Sequence, residues 1–167
     1  MPKKAASTTQ SGQNRNDRLI QEFDHDPYHA KLKLKEPTAC PQCCAVYEKG
    51  RWSWAKIPAD AHETLCPACQ RIHDHAPAAF LTLSGPFLVQ HKEEILHLID
   101  NYEQREAKQH PLKRRMSCNT DNEIVHMTFT ELHLARSIGE ALENAYKGDL
   151  DYQYNKGEYM LRVTWSR

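Results

Sequence analysis

Four cysteines in two matched pairs are the residues of this chain best placed to do chemistry. Cys40-Pro41-Gln42-Cys43 is answered by Cys66-Pro67-Ala68-Cys69, and twenty-two residues (44–65) separate the pairs. A two-residue gap lets both thiolates of a pair turn toward one ion. Two such pairs at this separation make the tetrahedral sulfur set of a zinc ribbon. We therefore expect one structural Zn²⁺ on Cys40, Cys43, Cys66 and Cys69. Four sulfurs leave no position for water, which argues against zinc-based catalysis.

Other uses of these thiols fit less well. Two disulfides would need an oxidising compartment, and residues 1–10 carry no apolar stretch of the signal-peptide kind. A thioredoxin-like motif needs one Cys-x-x-Cys beside a βαβ unit, not two knuckles around a Trp-bearing insert. Cys44 follows the first knuckle, and its side chain should point away when Cys40 and Cys43 converge. Cys118 stands alone in a polar stretch as a free thiol.

The elements that must hold the cysteines follow from the residues around them. A ribbon over 36–76 is expected, with short strands at 45–48 and 51–55 around Lys49-Gly50. Trp52 and Trp54 alternate with Arg51, Ser53 and Ala55, the period of a strand. The two Trp rings either pack over the metal site or against the next domain, or form a stacking surface for bases, flanked by Arg51, Lys56 and Arg71. Ahead of the ribbon, Ser, Thr, Gln and Asn dominate 7–16, and Lys3, Lys4, Arg15 and Arg18 stand against Asp17. Residues 1–35 read as an unstructured, mildly basic tail, either solvated or ordering on a partner. Asp24-His25-Asp26-Pro27-Tyr28-His29 holds metal-binding residue types and reads as a turn broken by Pro27.

Residues 77–167 form a second unit. A strand at 79–83 ends at Ser84-Gly85-Pro86, with Ser84 as the helix cap. Leu88, Ile95, Leu98, Ile99 and Tyr102 then recur at helical spacing to about residue 105. Residues 109–122 are polar and read as a loop centred on Lys113-Arg114-Arg115. A strand over 124–129 leads to Thr130 as cap of a second helix bearing Leu134, Ile138, Ala141, Leu142 and Ala145, stopped at Lys147-Gly148. Strands at 150–154 and 159–165 flank a hairpin turn. The expected fold is α+β: a four-cysteine zinc ribbon, then a βαβαββ domain with two helices packed on a four-stranded sheet.

This second unit carries no P-loop, no Gly-rich dinucleotide turn, no nucleophile elbow and no His-Glu-x-x-His. His91 and His97 lie six apart and make a poor ligand pair. His126 and His133 sit at element boundaries, and Glu93-Glu94 read as solvated charges. The chain is expected not to be an enzyme and to take no small-molecule substrate. Its 22 basic and 22 acidic residues cancel, and four thiolates around one divalent ion add a net −2. RNA would therefore have to be met by local charge, with Arg51, Lys56, Arg71, Lys113, Arg114 and Arg115 as the candidates and Trp52 or Trp54 stacking. No apolar run approaches the roughly 20 residues that span a bilayer, so no membrane partner is expected. A cytoplasmic location suits reduced thiols.

The paired knuckles, the Tyr47 and Trp52-Ser53-Trp54 insert and the βαβαββ tail resemble a known family over residues 36–165. They look like the short bacterial relatives of the archaeal and eukaryotic large-ribosomal-subunit export adapter. The most specific stretches are Lys35-Glu36-Pro37-Thr38-Ala39 with the first knuckle and Leu65 with the second. The resemblance implies zinc ligation by the four cysteines and contact with the ribosome. Departures are plain: one set of four cysteines where the adapter has more, no later domains or export signals, and Cys44 where the bacterial pattern usually has Gly. Two functions stay open, an RNA- or ribosome-binding protein and a protein-binding adaptor without nucleic acid. A thiol-based redox sensor using Cys44 or Cys118 is a remote third.

Overall fold

The computed structural model describes residues 26–29, 33–155 and 157–167. Of the tail expected over 1–35, residues 1–25 and 30–32 lie outside the described residues. Four short strands build the ribbon: β1 (Thr38–Ala39), β2 (Val46–Glu48), β3 (Arg51–Ser53) and β4 (His62–Glu63), in the order β3-β2-β1-β4. β2 and β3 form the tight hairpin around Lys49-Gly50. The Glu36 carboxylate accepts from the backbone N–H groups of Lys49 and Gly50 at 2.8 and 3.0 Å, which ties that turn to the strand before the first knuckle.

The second knuckle runs directly into a helix not expected from the sequence, α1 (Pro67–His73). Its signal was present. Cys66 is the N-cap, its sulfur accepts from Cys69 N, and Pro67 occupies the first turn, where its missing N–H costs nothing.

The second unit comprises β5 (Ala79–Ser84), α2 (Pro86–Ala107), β6 (Arg115–Asp121), β7 (Ile124–Phe129), α3 (Leu132–Tyr146), β8 (Asp149–Tyr154) and β9 (Leu161–Ser166). Its sheet has five strands, in the order β6-β7-β5-β9-β8, not the expected four. The correction is β6: residues 115–121, expected as loop, pair antiparallel with β7 at the sheet edge. An edge strand with its last four side chains exposed needs no apolar alternation, so the period-2 signal is missing. β5 pairs parallel with β9, and the other neighbours are antiparallel.

One face of the sheet is the core. Leu81 and Leu83 of β5 are flanked in register by Val163 and Trp165 of β9 and by Met127 and Val125 of β7, all buried. Leu88, Ile95 and Ile99 of α2 and Leu134, Ile138 and Leu142 of α3 complete it.

Two expected caps are reassigned. Gly85, not Ser84, caps α2 with φ +102°, and a Cβ there would lie 2.4 Å from the carbonyl oxygen of Arg167. Glu131, not Thr130, caps α3, its carboxylate accepting from Leu134 N at 3.0 Å. Thr130 is thereby free for the chain segment beside the cysteines.

Candidate metal centre and adjoining cleft

The first knuckle is shaped by its own backbone. Cys40 N donates to Ala45 O at 2.8 Å, and Cys44 N to Cys40 O at 2.9 Å. Cys44 takes φ +65°, the left-handed conformation that a glycine adopts at least cost, and its side chain is exposed. The turn therefore keeps its glycine-type geometry with a cysteine in it.

The two knuckles meet. The sulfurs of Cys40, Cys43, Cys66 and Cys69 all lie within 4.8 Å of one another, and Cys43 Sγ is 3.7 Å from Cys66 Sγ. A tetrahedral centre with metal–sulfur bonds of about 2.3 Å has sulfurs about 3.8 Å apart, so the set can hold one metal ion. Backbone N–H groups point at two of the sulfurs: Cys66 N reaches Cys40 Sγ at 3.3 Å and Cys69 N reaches Cys66 Sγ at 3.4 Å. Cys40, Cys66 and Cys69 are buried.

The thiols of the cluster are shifted in opposite directions. Burial works against ionising Cys40, but backbone N–H donors at its sulfur prevail and bring the thiol down to about 7. Burial, reinforced by the neighbouring sulfur charges, pushes Cys66 well up. Burial also raises Cys69, against the pull of a nearby guanidinium. Four thiolates packed this closely need a compensating cation, which a divalent metal supplies.

One such cation is already in place on the protein. Arg114 reaches across from the second unit and donates to the sulfurs of Cys43, Cys66 and Cys69 at 3.2–3.5 Å. Leu112 packs against the same small cluster of Cys40, Ala45, Cys66, Ala68 and Cys69.

The structure thus redistributes the residues proposed for nucleic acid. Lys113, Arg114 and Arg115 are not a loop of solvated charges. Lys113 Nζ pairs with Glu106 at 2.8 Å, Arg114 faces the sulfurs, and Arg115, on β6, pairs with Asp100 at 2.9 Å and Glu103 at 3.4 Å. Arg71 is only 3% exposed. It is paired with Asp26 at 2.6 Å, donates to Ala76 O at 2.9 Å and lies under the Tyr28 ring at 4.3 Å. Residues 26–29 therefore dock on α1 rather than belonging to the tail, and the Tyr28 hydroxyl donates to Asp74 at 3.0 Å.

Arg51 and Lys56 remain exposed, with no ion pair among the described residues. Trp52 is half-buried against the cysteine cluster, its ring 5.5 Å from that of Tyr47. Trp54 is exposed, and its indole N–H donates to Ala107 O at 2.6 Å, joining the ribbon to the end of α2. Of the remaining thiols, Cys44 and Cys118 are exposed, and Cys118 lies on β6.

Beside the centre is a cleft of about 500 Å³. Tyr28, Tyr47 and Trp52 supply its aromatic wall, and Arg51, Gln70 and His110 are among its polar lining. Sequence reasoning missed this cleft because its walls come from segments far apart in the chain.

No protein-family model, curated protein or solved structure matches the chain. No helix among the described residues is long and apolar enough to cross a membrane.

Proposed function

We propose that this chain is a non-enzymatic zinc-ribbon protein. One structural Zn²⁺ sits on Cys40, Cys43, Cys66 and Cys69, and single-stranded RNA binds at the cleft beside it. The observation that carries the RNA reading is the cleft wall: Tyr47 and Trp52 present aromatic surface next to the exposed, unpaired Arg51. A base can stack on such a wall whatever its identity, while a cation at the rim meets its phosphate. Lys56, exposed three residues beyond β3, is a second candidate phosphate contact. The ribosomal part of this reading rests on the sequence resemblance alone; the cytoplasmic location that goes with it is proposed from the reduced thiols a zinc site needs.

Direct titration of short single-stranded RNA, followed by Trp fluorescence at several salt concentrations, tests the proposal. Trp52→Ala should weaken binding by about 1–3 kcal/mol with little change in salt slope, since stacking displaces no ions. Arg51→Ala should weaken it and reduce the slope by about one. Zinc content is measured in parallel, because Trp52 also packs on the cysteine cluster.

A protein-binding adaptor is the second reading. Trp54 and Ile57 favour it, two large apolar side chains exposed within four residues on the strand-free segment after β3. Wild-type protein with no salt-sensitive RNA or ribosome binding, but a protein partner held through high salt, would decide for the adaptor.

A further inference from the structure

We propose that Arg114 is part of the metal centre: a cation supplied by the second unit that makes metal loading and the docking of the two units a single event. The guanidinium is aimed, not draped. Its Nη2 lies 3.2 Å from Cys66 Sγ, 3.4 Å from Cys69 Sγ and 3.5 Å from Cys43 Sγ, and its Nη1 lies 3.4 Å from Cys69 Sγ. The remaining nitrogen, Nε, donates to Pro111 O at 2.9 Å, which fixes the plane of the group.

The backbone is held as firmly. Arg114 N donates to Thr130 Oγ1 at 3.0 Å and Thr130 N donates to Arg114 O at 2.9 Å, so the end of β7 sets where Arg114 stands. This is the work to which Thr130 is committed in place of capping α3.

Charge explains the choice of residue. A divalent ion in four thiolates is net −2, half-enclosed by protein, and one guanidinium brings it to −1. Lys113, Arg115, Arg71 and Arg136 each have a carboxylate partner, whereas among the described residues Arg114 has none. Both of its terminal nitrogens are directed at the sulfurs. Donors to metal-bound sulfur spread the sulfur's charge and hold the ligand set in place. Because Arg114 belongs to the second unit, any strength it lends the metal must be returned by the metal to the docking of that unit.

The test uses the full chain with Zn²⁺ as probe, competed against a chromophoric chelator. Arg114→Ala should lower zinc affinity about 10- to 100-fold and speed alkylation of the four cysteines in loaded protein. Arg136→Ala, which removes the ion pair with Glu140 on α3 and a contact with the Tyr152 ring but nothing at the cysteines, should leave both unchanged. Thermal melts of loaded and metal-free protein supply the second readout: the variant should melt lower than wild type when loaded, and within error of it when stripped. If Arg114→Ala does not fold, Arg114→Gln, which keeps part of the stem and a planar donor but not the charge, should still show at least a tenfold loss. Zinc affinity within about twofold of wild type in a folded variant would overturn the proposal. So would an equal loss of stability in loaded and metal-free protein, which would mark Arg114 as ordinary packing.

Discussion

The ribbon and the five-stranded unit are folded by different physics. The ribbon's buried cluster consists of three cysteines and two alanines, with Trp52, Leu65 and Leu112 at its margin. The second unit buries Trp165, Phe129, Met127 and a layer of Leu and Ile between sheet and helices. At roughly 25 cal/mol per Å² of apolar surface removed from water, the second core can offset its chain entropy, and a core of thiols and methyls cannot. On the zinc reading proposed above, the ribbon depends on ligation, as small metal modules do. The contrast also locates the joints between the two: Arg114 on the sulfurs, Leu112 on the cluster, and Trp54 on the end of α2.

The sharpest way to break this contrast is to remove a ligand. Cys66→Ser should abolish stoichiometric zinc and unfold the ribbon, a loss on the order of 10 kcal/mol of ligation energy. The helical circular dichroism of α2 and α3 should survive. A single cooperative loss of all structure, in this variant or on chelation, would show that the two cores are one.

A smaller effect should separate the docked segment from the metal. Asp26→Ala leaves the Arg71 guanidinium buried and unpaired, which should cost about 3–5 kcal/mol. Proteolysis near residues 26–29 and around α1 should accelerate while zinc remains bound. Were the variant as resistant as wild type, the ribbon would owe nothing to the Arg71–Asp26 ion pair.

The smallest effect belongs to the second unit and to pH. Burial holds the Glu103 carboxyl up at about 7, even with Arg115 beside it and partly because Asp100 is near. Folded protein thus keeps a proton that unfolded chain releases from about 4.5 upward. The contribution is present at low pH and lost as pH rises through about 7. Glu103→Gln should flatten this dependence and raise stability at pH 8 relative to pH 5 by about 1–2 kcal/mol, after allowance for partial solvent screening. Melts of wild type and variant in parallel with the same pH slope would contradict the assignment.

Much of the site is legible in the sequence, and the reason is local. Ligand spacing within each Cys-x-x-Cys, the Lys49-Gly50 turn, the apolar stripe of α3 and its stop at Lys147-Gly148 each depend on residues within a few positions of one another. Expectations failed where the determinant was distant or the local pattern silent. β6 is polar because its outer residues are exposed at a sheet edge. Ser84 and Thr130 have the right chemistry for caps and lose to Gly85 and Glu131 because of Arg167 and of the 112–114 segment.

By itself, then, the order of amino acids determined that two knuckles would bring four sulfurs together, and that an α+β unit would follow with its own apolar faces. Only the tertiary structure decided what surrounds those sulfurs. Arg114 and Cys43 are 71 positions apart, and Arg71 and Asp26 are 45 apart. Whether a cation meets phosphate, carboxylate or sulfur is set by which surface the chain brings to it. No spacing along the sequence encodes that, because a charged side chain on a polar segment has the same local signature in each case.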